Sequence, residues 1–194
     1  WFYQRGYHVA SFDARGHGKS SNSRGYVKDY QQYSNDLHQM ITLFKNISNP
    51  SATHIIAHSN GGLIASHYLL THPQPTTINK CILSAPYLGI NPTALPPQPL
   101  QWLLKQSIKV FPHLKIPTPG KRDTLTHDPE ITQSIQQDPL RLRIVSVQWF
   151  VAAEQAQQIV LAKAKQWPNI PVMLLLAGED VLANNNSSQL FYEQ

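Results

Sequence analysis

Residues 54–65, His54-Ile55-Ile56-Ala57-His58-Ser59-Asn60-Gly61-Gly62-Leu63-Ile64-Ala65, decide the fold. A short apolar strand, His54 to Ala57, enters a tight turn, and Gly62 through Leu70 reads as an apolar helix closed by His72-Pro73. The turn has the form G-x-S-x-G, with Ala57 in place of the first glycine. A reversal this sharp holds Ser59 in a strained backbone conformation, and side chains two before and two after it are expected to collide. Ala57 adds only a methyl group, and Gly61 adds none. The hydroxyl of Ser59 then sits at a helix N-terminus, whose dipole favours developing negative charge. The backbone N–H of Asn60 would supply one oxyanion donor. A serine that merely caps a helix is the plainer account. The strand before the turn, the Gly61-Gly62 pair and the apolar helix after it favour a nucleophile.

Working outward, Ile78 to Ser84 is another strand, ending at Ala85-Pro86. Strand, helix, strand at this spacing points to a parallel sheet with helices on its faces. Upstream, Tyr7 to Phe12 reads as a strand ending at Asp13, and Arg15-Gly16-His17-Gly18-Lys19-Ser20 is a Gly-rich turn. Tyr33, Leu37, Met40, Ile41 and Phe44 recur at spacings of three and four, one apolar helix face ended by Asn49-Pro50. Downstream, residues 86–119 hold eight of the fifteen prolines, which argues against regular sheet there. Asp138 to Lys165 reads as helix, with Val147, Phe150 and Val151 on one face, and Ile170 to Ala177 as a final buried strand. The expected organisation is an N-terminal core part (1–85), a helical insertion (86–165) and a C-terminal core part (166–194). The insertion would lie over the carboxyl ends of the strands, where such sheets bind ligands.

The 194 residues are 41% hydrophobic and 9% aromatic, which excludes a disordered or collagen-like chain. A single cysteine, Cys81, excludes a disulfide framework and a cysteine-based zinc site; in its apolar run it reads as a buried, inert thiol. No apolar stretch approaches the ~18–20 residues of a membrane-spanning helix. The net charge is +5, and between Leu37 and Arg122 there is no Asp or Glu against seven Lys or Arg. These cations are scattered rather than set in a stripe, so nucleic acid is not an expected partner. A solvated surface, or contact with an anionic membrane surface or head group, accounts for them. The chain starts Trp1-Phe2-Tyr3 without a methionine and is expected to be a fragment.

A serine nucleophile needs a base, and the base an orienting acid; for an elbow of this type both follow in the chain, acid first. The acids after Ser59 are Asp123, Asp128, Glu130, Asp138, Glu154, Glu179, Asp180 and Glu193. Only Glu179 and Asp180 directly follow a buried strand, Val172 to Gly178, and Asp180 is the favoured acid with Glu179 as fallback. All nine histidines precede Asp180. His58 would point away from the nucleophile's side, and His17 and His127 read as structural or solvent-facing, so the triad is incomplete within these residues.

With these residues in hand, the chain resembles the α/β-hydrolase superfamily, in the branch of bacterial lysophospholipases and monoacylglycerol lipases. The resemblance rests on Gly6 through Ser20 (Gly-Tyr-His-Val-Ala-Ser-Phe-Asp-Ala-Arg-Gly-His-Gly-Lys-Ser), the Ser59 elbow and Leu175-Leu176-Ala177-Gly178-Glu179-Asp180. Leu125-Thr126-His127-Asp128 and Asp138-Pro139-Leu140 look like stretches of the cap in bacterial lysophospholipases. It implies an α/β-hydrolase fold, a mostly parallel sheet with flanking helices and a helical cap insertion, truncated at both ends. It also implies Ser59 as nucleophile, Asp180 as triad acid, a His-Gly oxyanion loop before Trp1 and a catalytic histidine after Gln194. No metal or cofactor is implied. The implied substrate is the ester of a single-chain lipid, for which Trp102, Leu103, Leu104, Ile108 and Phe111 of the insertion suit an acyl chain, though core packing within the insertion explains them equally. Lys105, Lys109, Lys115, Lys121 and Arg122 would favour a phosphate-bearing head group. A small-ester esterase or peptidase on the same scaffold, and a non-catalytic binding protein that lost its base, are the other readings. The expected setting is cytoplasmic or peripheral at the inner membrane, and the chain alone is expected to be inactive.

Overall fold

A computed structural model describes residues 1–20, 23–118 and 125–194. In chain order the elements are α1 (Tyr30–Ser48), β1 (His54–His58), α2 (Asn60–Thr71), β2 (Lys80–Ser84), α3 (Gln98–Ser107), β3 (Lys115–Pro117), α4 (Pro129–Gln137), β4 (Ile144–Ser146), α5 (Val147–Ala162), β5 (Val172–Leu175) and α6 (Asn185–Tyr192). Their ends follow the local chemistry. The Asp29 side chain accepts from the N–H of Gln32 to start α1, and Asn49 stops it in a left-handed conformation at φ 41°, ahead of Pro50. Asp128 caps α4 with Pro129 in its first turn, Ser146 caps α5 through the N–H of Trp149, and Asn184 caps α6.

The strands β1, β2 and β5 form one parallel sheet in the order β1-β2-β5, with Ile55 opposite Cys81 and Cys81 opposite Val172. One face is buried: Ile55, Ala57, Cys81, Leu83, Val172 and Leu174 join the core with Leu63, Tyr68, Phe150 and Val160 of the helices. Burial raises the Cys81 thiol to about 12, in keeping with an inert core thiol. Helix α2 packs on β1, α1 and α5, and α5 also touches α1, α3 and α6. Val147, Phe150 and Val151 are buried, as their spacing predicts.

Four expectations need correction. Tyr7 to Phe12 forms no strand; no ladder partner pairs with it among the described residues, and Tyr7, Val9 and Phe12 are exposed. The helices cover one face of the sheet rather than both, leaving Ile56, Met173 and Leu175 at least half exposed on the other. A short strand does occur in the proline-rich stretch. Lys115–Pro117 pairs antiparallel with Ile144–Ser146; the bonds to the partner strand run through Leu114 and Thr118, so by alternation the nitrogen of Pro117 faces away from it and its missing N–H breaks no bond. Residues 138–146 are therefore not helix: Asp138 folds back onto the N–H of Leu140 as a turn, and α5 begins only at Val147.

Candidate active site

Ser59 joins the last residue of β1 to the first of α2 with φ 52° and ψ −120°, a conformation that ordinary side chains avoid. Backbone hydrogen bonds fix it from both sides. Its N–H donates to the Ser84 carbonyl at 2.9 Å, and its own carbonyl accepts from Gly62 at 2.9 Å and from Tyr87 at 3.0 Å. Although Ser59 holds the N-cap position of α2, its hydroxyl makes no capping bond. The expected collision of flanking side chains is milder than the sequence suggests: a Cβ on Gly61 would stand 3.9 Å from Ala57 Cβ, an ordinary contact. The tight approach is one residue later, where a Cβ on Gly62 would come within 2.7 Å of Pro86 Cβ. Gly62 thus lets α2 press against the segment that follows β2.

Asn60 opens α2, so its N–H has no intrahelical acceptor. Its side-chain Oδ1 accepts from the Tyr30 hydroxyl at 2.6 Å, a contact between α1 and the elbow. Burial pushes the Tyr30 phenol well above its usual range, so it stays a neutral donor. Its neighbour Tyr33 accepts from Trp149 Nε1 of α5 at 3.1 Å and donates to the Arg15 carbonyl at 3.2 Å. Arg15 in turn grips Asp36 with two nitrogens, at 2.9 and 2.7 Å. The Gly-rich turn, α1 and α5 are therefore tied together behind the elbow.

The loop after β5 carries Asp180. Its Oδ1 accepts from the N–H groups of Leu182 and Ala183 at 2.8 and 2.7 Å, and its carbonyl accepts from Asn91 Nδ2 at 2.9 Å. Asn91 N–H donates to Leu182 O, and Ile90 bridges Ala183. Residues 84–91, from the last residue of β2 onward, thus touch both Ser59 and the Asp180 loop, gathering the carboxyl ends of all three strands. With β2 between β1 and β5, the two outer strands stand about 10 Å apart. That gap is wide enough for a side chain to mediate between Ser59 and Asp180. Glu179 behaves differently: its carboxylate meets His127 Nε2 at 3.4 Å, and both side chains are more than 80% exposed.

The remaining candidates are occupied elsewhere. Asp128 and Asp138 cap or turn the chain, Glu154 pairs with Lys105 at 2.7 Å, Glu130 and Glu193 are exposed, and Asp123 lies outside the described residues. His17 turns its Nδ1 toward the Arg15 carbonyl, and His58 Nδ1 sits 3.3 Å from Ser84 Oγ. Among the described residues, no histidine is hydrogen-bonded to Ser59. Lys105 is spent on Glu154 and so is not free for a head group, and Lys121 and Arg122 lie outside the described residues. The apolar residues of the insertion divide: Leu104 and Ile108 pack against the core, whereas Trp102, Leu103 and Phe111 are exposed. Sequence reasoning missed Tyr30 and Asn91, because neither belongs to a motif and each reaches the site only through tertiary contact.

The family described as serine aminopeptidase, S33, matches residues 1–194. Phospholipase YtpA of Bacillus subtilis is 26% identical over 179 residues, covering 92% of this chain and 67% of that protein. Probable lysophospholipase L2 of Haemophilus influenzae is 37% identical over 92 residues, 46% of this chain and 29% of that protein. The chain thus spans at most about two thirds of the length of either relative. Among solved structures, the monoacylglycerol lipase of Paleococcus ferrophilus superposes with a TM-score of 0.81 at 23% identity, over 94% of this chain and 67% of that one. At that identity the likeness establishes a shared fold: an α/β-hydrolase fold with a mostly parallel sheet and flanking helices.

Proposed function

Because this chain belongs to the serine aminopeptidase S33 family of α/β-hydrolases, we propose that it is part of a serine hydrolase that cleaves carboxylic esters of single-chain lipids, a lysophospholipid or a monoacylglycerol. The observation that carries this reading is Ser59: a strained backbone at a strand-to-helix turn, with a hydroxyl not used as a cap. A serine needed only for capping would bond the helix N–H groups. The lipid class is supported by the phospholipase and lysophospholipase names of the relatives.

In this mechanism Ser59 Oγ attacks the acyl carbonyl while a histidine takes its proton. No histidine among the described residues is hydrogen-bonded to Ser59, and this proposal assigns the role to the histidine that the family resemblance implies beyond the acid. Asp180, with Oδ1 held by two N–H groups, offers Oδ2 to orient the imidazole. The Asn60 N–H, with a second amide from before Trp1, holds the oxyanion. The protonated histidine returns its proton to the departing alcohol, leaving acyl-Ser59. Water, deprotonated by the same histidine, then releases the fatty acid and restores the serine. Residues 86–165 act as the cap, with Trp102, Leu103 and Phe111 presented to the acyl chain. Peripheral contact with an anionic membrane surface belongs to the same proposal, and no helix among the described residues is long and apolar enough to cross a membrane.

A peptidase would need an acidic group to hold the substrate's α-ammonium. The acid-free stretch between Leu37 and Arg122 and the pairing of Glu154 with Lys105 favour an ester. The test is hydrolysis of lysophosphatidylcholine, monoacylglycerol and an aminoacyl p-nitroanilide by the intact protein. Ester turnover should exceed amide turnover and fall at least ~10³-fold in Ser59→Ala and ~10²–10⁴-fold in Asp180→Asn. The 194-residue polypeptide alone should show no useful turnover. Full ester turnover in Ser59→Ala would sink the proposal.

A further inference from the structure

Beside the β3–β4 hairpin opens a cleft of about 410 Å³, lined by Arg24, Lys115, Asp138, Arg141 and Arg143 together with apolar neighbours. Four cations and one carboxylate line it, so the positive charge is in excess, and the carboxylate Oδ1 accepts from the N–H of Leu140 at 2.8 Å. Three of the cations are held in place by neutral carbonyls. Arg24 donates to Gly18 O at 2.6 Å and to Leu140 O at 2.7 Å, Arg143 to Gln136 O at 2.7 Å, and Lys115 to the Arg24 carbonyl. Among the described residues, the Arg141 guanidinium has no hydrogen bond or ion pair, and no carboxylate lies within 4.0 Å of any of the four. Other cations of this molecule do find acids, as Arg15 does with Asp36 and Lys105 with Glu154.

Carbonyl partners orient a guanidinium without cancelling its charge. With the Asp138 carboxylate offsetting only one of the four cations, the remaining positive charges repel one another and favour a bound anion. Guanidinium forks match the oxygens of a phosphate, and a phosphate can accept from several of them at once. The cleft is also wider than a bare phosphate requires, leaving room for a small substituent. We propose that this cleft binds a phosphate group, either as the free anion or as the head group of a phospholipid. Arg24 precedes α1, whereas the other three cations lie between β2 and β5, so the bound phosphate bridges the insertion to the loop before α1.

The site is independent of Ser59, and its failure would leave the ester-hydrolase proposal untouched. The experiment is a calorimetric titration of the intact protein, at fixed ionic strength, with inorganic phosphate and separately with glycerophosphocholine, which carries no acyl chain. At least one should bind saturably at a single site. Arg141→Gln removes a guanidinium that makes no hydrogen bond among the described residues, and should weaken binding about tenfold or more. Lys80→Gln, the same charge loss on the distant strand β2, should leave binding unchanged. Binding of inorganic phosphate alone identifies a free-anion site, and preference for glycerophosphocholine a head-group site. Absence of saturation by either ligand in the millimolar range overturns the proposal, as does equal weakening by the two substitutions.

Discussion

At the scale of single residues, Ser59 is held in a backbone conformation that costs energy, and its hydroxyl makes no capping bond in return. Sparsely populated φ/ψ combinations of this kind cost roughly 1–3 kcal/mol, and glycine is free of most of that penalty. Ser59→Gly should therefore raise stability, by about 1 kcal/mol once glycine's greater freedom in the unfolded chain is subtracted, while abolishing any acyl transfer. Urea denaturation checks it, and a lower midpoint for the glycine variant would mean that the elbow is not strained. The same scale shows where sequence and structure part. The strand–turn–helix around Ser59 and the strand before Asp180 leave local signals in the sequence, whereas the close approach falls at Gly62 rather than at Gly61, where the sequence pointed. Tyr30 and Asn91 leave no such signal, because one serves Asn60 from thirty residues away and the other holds a carbonyl eighty-nine residues on.

At the scale of elements, α2 is the most informative helix, since its apolar run is buried along most of its length. It carries His67, whose Nδ1 lies 2.8 Å from Ser34 Oγ of α1. Burial, reinforced by Lys163 and opposed by Asp29, lowers this imidazole to about 4 from 6.5. The unfolded chain takes up a proton near pH 6.5 while the folded chain resists until about pH 4. Stability is therefore full above pH 6.5 and falls as the pH drops toward 4, by up to about 3 kcal/mol from this group. His67→Gln, which can still accept from Ser34, should flatten the dependence of the urea midpoint on pH between 7 and 4.5. An unchanged slope would assign the acid sensitivity to other groups. The β3–β4 hairpin shows the opposite case, for three-residue strands amid prolines carry too little periodicity to be read, and only their pairing reveals them.

At the scale of the whole molecule, the sheet is apolar on both sides but covered on one. Ile56, Met173 and Leu175 lie bare on the other face, at 56, 55 and 50% exposure, and the extended segment around Tyr7, Val9 and Phe12 is also exposed. Strands apolar on both faces belong to sheets covered on both faces. The 194-residue polypeptide, purified alone, should bind a hydrophobic dye strongly and self-associate. Met173→Lys with Leu175→Lys should reduce both without altering the helical signal in circular dichroism. A monodisperse polypeptide that leaves the dye unbound would show that this face is covered in solution.

The sequence by itself determined the elements whose signal is local: the helix from the spacing of Tyr33, Leu37, Met40, Ile41 and Phe44, the strand–turn–helix around Ser59, and the strand from Val172 that precedes Glu179 and Asp180. Periodicity and turn chemistry act over a few residues, so they survive in the linear chain. Only the tertiary structure decided that Tyr7 to Phe12 stays unpaired, that one sheet face is bare, that Glu179 turns to His127 while Asp180 is held by backbone N–H groups, and that four cations from separate segments meet in one cleft. Ladder partners, burial and convergent charge depend on which segments meet in space, and no short stretch of sequence records that.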